Sequence, residues 1–289
     1  MPLEAPVPPL EHASQAKPLG LDNATFIRIA DLVQAECGIK LSHGKSNLIV
    51  SRLGKRIKKL NLTSFNAYLD YIASASGRDE FRRMISLLTT NVTKFFRESH
   101  HFEALRTDIL PQLIAKARSG ASVRIWSAGC SSGQETLSIG IETLKLCPQV
   151  SGLDLRILGT DLDPVSLQTA RRAAYDISLF SDLSQQDQDQ FFEPADGGKS
   201  LRAVPELRDL ITYAELNLIG KWPMERPFDV IFCRNVVIYF DNDTQATLWS
   251  RFANALHQDG ALFIGHSERL SGPGASCFEP LGVTQYRRI

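Results

Sequence analysis

From Asp22 onward the chain repeats apolar positions at helical spacing. In "NATFIRIADLVQAECGIK", Phe26, Ile29, Ala30 and Val33 share one face, and Cys37-Gly38 ends the run. "NLIVSRLGKRIKKLNL" carries a second stripe of Ile49, Leu53, Ile57 and Leu60. "SFNAYLDYIA" and "DEFRRMISLLTTNVTKFF" continue the pattern, the latter with Phe81, Met84, Ile85 and Leu88 as its buried face. Together these segments predict a small all-α domain over residues 21–92, and "HHFEALRTDILPQLIAKAR" predicts one more helix beyond it. From Val123 the pattern turns to short apolar runs, "VRIWSA", "LRILGTDLD", "FDVIFCRNV" and "ALFIGHSE". They alternate with helical segments at 135–146, 164–173 and 243–256. Strands apolar on both faces and separated by helices indicate a doubly wound, Rossmann-like parallel sheet, an α/β domain over 93–289. Within it, residues 184–213 place "ADGG" between two short strands and predict an inserted β-hairpin.

Composition narrows the function classes. At 289 residues with 43% hydrophobic positions, the chain can bury one large core and one small one. Residues 1–20 are rich in Pro and Ala and predict a disordered tail. They lack the basic start and apolar run of a signal peptide, and no stretch reaches membrane-spanning length, so the expectation is a cytoplasmic protein without membrane insertion, compatible with a monomer. Lys plus Arg and Asp plus Glu each total 32, so no global field favours nucleic acid or anionic lipid. A local patch remains: Arg52, Lys55, Arg56 and Lys59 recur at helical spacing, with no acid between Ser46 and Asn66. That stripe is either a solvated face or a surface for an acidic partner. The five cysteines are odd in number and have no paired spacing, which argues against a disulfide framework and against a metal site.

In a doubly wound sheet, ligands sit beyond the carboxyl ends of the strands. The first such loop lies in "RIWSAGCSSGQE", residues 124–135, and holds only Gly129 and Gly133. It lacks the Lys-Ser/Thr of a phosphate loop, and Gln134 or Glu135 stands where a dinucleotide fingerprint has its third glycine. Glu135 is a first-turn helix acid or a partner for a cationic ligand. "ILGTDLD" leaves Asp161 at the end of the next strand, where an acid accepts hydrogen bonds from both hydroxyls of a ribose. A nucleoside without polyphosphate is implied, and S-adenosylmethionine, with its charged amino acid tail and sulfonium, fits.

Around these loops stand four more specific segments: "TTNVTKFFRESHHF" (89–102), "LNL" (216–218), "FDVIFCRNVVIYFD" (228–241) and "GHSE" (265–268). In this order they resemble the CheR family of chemotaxis receptor methyltransferases, from about residue 22 to the C-terminus, including the helical domain ahead of the sheet. The resemblance implies that Asn91, Thr93, Arg97, Glu135, Asp161, Asn217, Leu218, Arg234 and Asn235 border S-adenosylmethionine and its product S-adenosylhomocysteine. It also places Tyr239 near the transferred methyl, and Arg97 with Tyr239 as the candidate catalytic pair. Taken singly, Arg97 reads equally as a surface charge, Asn217 as a turn residue and Tyr239 as a core aromatic. The implied acceptor is a glutamate on the cytoplasmic helical domain of a chemotaxis receptor, with Arg52, Lys55, Arg56 and Lys59 as its docking surface. A methyltransferase with another acceptor, or a cofactor-sensing interaction module, are the alternatives; the absence of an Asn/Asp-Pro-Pro-aromatic loop in "RNVVIYF" argues against nucleic acid as acceptor. The insert matches the family's small β-subdomain, which some members use to hold a receptor's C-terminal pentapeptide; its short turn points to recognition without that tether. Where the family commonly reads "STGEEPYS", this chain has "SSGQETLS": Gln134 replaces an acid and Thr136-Leu137 replace Pro-Tyr, while Glu135 is retained.

Overall fold

The computed structural model describes residues 19–89 and 92–289. The tail expected over 1–20 therefore falls outside the described residues apart from its last two positions, and Asn91 lies outside them as well. Helix α1 (Asn23–Cys37) starts where the Asp22 carboxylate accepts the Thr25 N–H, and it ends at Gly38, whose φ of 71° is left-handed. It packs with α2 (Ser46–Lys59), α3 (Phe65–Ala73) and α4 (Arg78–Leu88) around Phe26, Ile29, Ile49, Leu53, Tyr68 and Met84. Helix α4 is shorter than its sequence pattern suggested. It stops at Leu88, Thr89 turns extended, and residues 92–97 form a strap without helix ahead of the sheet domain. Phe81 is only half-buried, and the charged Glu80 takes the inner position.

The expected helix before the sheet is α5 (His100–Ala104) and α6 (Leu110–Arg118), joined by one wide π turn at Leu105–Ile109. Pro111 has no N–H to donate, and the wide turn absorbs that missing bond by pairing Leu110 N–H with the Leu105 carbonyl. Then come β1 (Val123–Ala128), α7 (Gln134–Leu146), β2 (Leu155–Asp161), α8 (Pro164–Arg172) and β3 (Ala174–Asp176). After these stand α9 (Gln185–Phe191), β4 (Phe192–Ala195), β5 (Ser200–Ala203), α10 (Pro205–Arg208) and β6 (Ile211–Glu215). The chain closes with β7 (Phe228–Cys233), α11 (Asn242–Ala255), β8 (Leu256–Ile264), β9 (Phe278–Gly282) and β10 (Gln285–Arg288).

Seven strands form the main sheet in the order β6-β2-β1-β7-β8-β10-β9. The first five are parallel, with Ile125 of β1 level with Ile157 on one side and Val230 on the other. Every residue of β7 is buried, as a central parallel strand requires. The antiparallel pair β9 and β10 at one edge makes the sheet mixed, which the apolar runs did not foretell. The insert also differs from expectation. Strands β4 and β5 do form a hairpin across Asp196–Gly198, but β3, ahead of residue 184, completes a three-stranded sheet. Residues 211–213 leave it to begin β6, which pairs with β2 in the main sheet.

Candidate functional site

The chain lays β2 and β6 on one side of β1, then crosses back to lay β7 and β8 on the other. The loops leaving β1 and β7 therefore diverge and open a crevice between them. The β1 loop bends through left-handed Gly129 (φ 88°) and Gly133 (φ 95°). Gly129 and Cys130 donate their N–H groups to the Thr160 carbonyl at 2.8 and 2.9 Å, which fastens this loop to the end of β2. There Asp161 accepts the Ser131 N–H at 2.7 Å and the Asp163 N–H at 2.9 Å. Burial raises the pKa of Asp161, and those backbone donors work against the rise.

Glu135, in the first turn of α7, is held from two sides: its Oε1 accepts the Ser127 hydroxyl at 2.7 Å and its Oε2 accepts Nη1 of Arg234 at 3.0 Å. Arg234, at the end of β7, is buried. Its Nη2 lies 3.2 Å from Glu98 and also donates to the Arg97 carbonyl, and its guanidinium stands over the Phe102 ring at 5.6 Å. Glu98 further accepts Nδ1 of His266 at 2.9 Å and faces Asn235 at 3.4 Å. Burial works to raise the Glu98 pKa, but the His266 hydrogen bond and the Arg234 charge outweigh it and bring it down to about 2. Glu268 accepts the N–H groups of Val236, Val237 and Gly265 at 2.9, 3.0 and 2.5 Å, so it sets the path of the chain after β7.

The helical domain supplies the opposite wall. Ile39 and Phe240 form a β-bridge, the Lys40 N–H donates to the Tyr239 carbonyl at 2.8 Å, and Nδ2 of Asn217 donates to the Glu36 carbonyl at 2.6 Å. Between the walls lies an open cleft. It brings together Thr93, Arg97, Glu135, Asp161, Asn217, Leu218, Arg234, Asn235 and Tyr239, with Cys37, Ile39 and Thr89 of the helical domain. Asn217 also serves its turn, because its Oδ1 accepts the Ile219 N–H at 3.1 Å. Tyr239 lies below Lys45, whose ammonium is 5.4 Å from the ring centre. The departures at the start of α7 are accommodated: Gln134 accepts the Ser132 hydroxyl at 2.8 Å, and Thr136 bonds Tyr213 Oη at 2.6 Å. Leu137 joins the core.

The basic stripe on α2 is not the row of four free cations that its spacing suggested. Arg56 makes a two-pronged pair with Glu80, at 2.8 and 2.5 Å, and Tyr68 donates to the same carboxylate at 3.0 Å. Burial works to raise the Glu80 pKa, and the Arg56 and Tyr68 bonds hold it below its ordinary value. Arg52 donates to the Leu87 and Thr89 carbonyls at 2.9 and 2.8 Å. Lys55 and Lys59 are exposed. The neutralising acid comes from another helix, 24 residues away, where inspection of α2 alone does not look. Ser127, Glu98 and Glu268, which hold Glu135, Arg234 and Val236 of the cleft lining, were not singled out from the sequence. Glu98 directly follows Arg97, and Glu268 closes "GHSE", so position in the motifs was the available signal.

Residues 91–286 match the family model "CheR methyltransferase, SAM binding domain", and residues 24–89 match "CheR methyltransferase, all-alpha domain". The chain is 47% identical over 258 residues to a probable chemotaxis protein methyltransferase of Rhizobium etli, covering 89% of this chain and 96% of the relative. It is 37% identical over 256 residues to the chemotaxis protein methyltransferase of Escherichia coli K12, covering 88% and 87%.

Proposed function

The chain belongs to the CheR methyltransferase family, and on that premise we propose that it methylates chemotaxis receptors on glutamate side chains, forming methyl esters with S-adenosylmethionine as donor. The observation that carries this reading is the single cleft in which Glu135 and Asp161 meet Arg97 and Tyr239. The residues there suit the donor. Asp161 accepts backbone N–H groups at both oxygens, and a carboxylate's four lone-pair sites leave it capacity for ribose hydroxyls. Glu135 has the same spare capacity for an ammonium group. The Nε of Arg234 is buried without a hydrogen-bond partner among the described residues, a donor suited to a carboxylate. When bound, S-adenosylmethionine supplies an electrophilic methyl on a sulfonium and leaves as S-adenosylhomocysteine.

The remaining work falls to positioning. A glutamate with an ordinary pKa near ~4.3 is ionised at neutral pH and needs no general base. In keeping with that, no histidine is among the described residues lining the cleft. Holding the acceptor oxygen about 3 Å from its target contributes roughly 7 to 11 kcal/mol. Arg97 and Tyr239 orient the acceptor carboxylate. A tight cationic clamp would stabilise the ground state more than the transition state, and Arg97 is already engaged with the Val92 carbonyl at 3.0 Å. Lys55 and Lys59 face an acidic receptor helix, an attraction that weakens as salt shortens the Debye length.

The test uses methyl-labelled S-adenosylmethionine with receptor-bearing membranes. The expected product is base-labile label on the receptor; base-stable label would exclude the ester. Arg97→Ala and Tyr239→Phe should each lower kcat/KM by about 10- to 100-fold, on the order of 1.4 to 2.7 kcal/mol. Unchanged values in both would remove these roles.

A further inference from the structure

We propose that Arg52 is a positioning residue of the donor cleft, so that the helix presented to the acceptor also holds the wall against which the donor lies. This rests on the donor assignment above and adds a role for Arg52 that its place in the basic stripe does not suggest. The last carbonyls of a helix have no intrahelical partner. Helix α4 carries no basic residue in its own last turn, and the guanidinium of Arg52 reaches across from α2 to its end. One nitrogen, Nη1, donates to the Leu87 carbonyl at 2.9 Å and to the Thr89 carbonyl at 2.8 Å.

Beyond that anchor lies the donor site. Thr89 lines the cleft, and so do Val92, Thr93 and Arg97 on the strap that leads away from it. The far end of the strap is fixed independently. Phe95 is buried with its ring 5.1 to 5.6 Å from those of Phe180, Tyr175 and Phe192, and the Phe96 N–H donates to Ser138 Oγ at 3.0 Å. Ahead of the strap, Arg52 is, among the described residues, the side chain that donates to the Thr89 carbonyl. Losing it leaves two half-buried carbonyls without this donor and frees one end of the wall. Arg56, one turn along α2, does different work, since its partners Glu80 and Tyr68 belong to the core of the helical domain. The two arginines therefore separate in their effects: Arg52 acts on donor affinity and Arg56 on domain stability.

Calorimetric titration of the full chain with S-adenosylhomocysteine, alongside thermal unfolding, tests this. Arg52→Gln should weaken binding by about five- to tenfold, the loss of one charge-assisted hydrogen bond. Arg52→Lys should recover part of it, and Lys58→Gln, on the exposed face of α2, should leave donor affinity unchanged. Arg56→Gln should lower Tm by more than Arg52→Gln while keeping Kd within about twofold, because its bonds lie away from the cleft. Wild-type Kd in Arg52→Gln, or a loss matched by Arg56→Gln, would overturn the assignment. Absence of binding in the unmodified protein would instead overturn the donor reading itself.

Discussion

Glu98 ties three separate stretches of chain to one carboxylate: Arg234 after β7, His266 after β8 and, through its own backbone, the strap that carries Arg97. Its φ of 57° is left-handed for a residue with a side chain, a conformation kept because those bonds require it. Glu98→Gln keeps the shape and removes the charge. Donor affinity should then fall about tenfold with about 1 to 3 kcal/mol of stability, read by calorimetry and urea unfolding. The pH dependence separates Glu98 from its neighbour His101, whose Nδ1 lies 3.6 Å away. A carboxyl lowered to about 2 stabilises the fold fully above its unfolded pKa near ~4.3 and loses that contribution only as pH falls from there towards about 2. His101 is wholly buried, and burial first, then the Arg234 charge, bring its pKa down to about 3. It is therefore neutral in the fold. Its contribution is complete above the unfolded value of ~6.5 and declines as pH falls below it, by up to about 1.4 kcal/mol per unit. The urea midpoint should drop between pH 7 and 5, and His101→Gln should flatten that drop; a wild-type midpoint constant over this interval would contradict the assignment.

At the level of elements, the loop between β1 and α7 depends on a close approach that a side chain would block. A Cβ on Gly129 would stand 2.3 Å from Cγ2 of Val236, in a conformation of positive φ. Val236 follows Arg234 and Asn235, so the clash acts on both sides of the crevice. Gly129→Ala should cost about 1 to 3 kcal/mol and weaken S-adenosylhomocysteine binding. Gly152, in a turn with open space around it, is the control: Gly152→Ala should leave both quantities unchanged. Equal effects at the two positions would mean that the loop tolerates what its geometry forbids.

Across the whole molecule, the cleft proposed for the donor belongs to neither domain alone. The Ile39–Phe240 bridge, the Lys40–Tyr239 bond and the Asn217–Glu36 bond close one wall onto the other. A ligand held between them stabilises both: at about 100 times Kd it should add about 2.7 kcal/mol. Amide exchange should slow in residues 36–41 and 217–220 together, and protection confined to the sheet domain would break this linkage. Local pattern sets the helices and the parallel strands, because the 3.6 period of Ile49, Leu53 and Ile57 and the short apolar run through Ile125 and Trp126 are written in neighbouring residues. It also marked the loops in which Glu135, Asp161 and Arg234 lie, since sheet topology fixes where such loops converge. Packing between distant segments sets that β3 joins the insert, that β6 leaves it for the main sheet and that β9 and β10 close the edge. Strands of three to five residues take their identity from the partner they pair with. The same holds for Arg52 and Arg56: a charge pattern records which face of a helix is basic, but the carboxylate or carbonyl that engages each cation is brought there by packing.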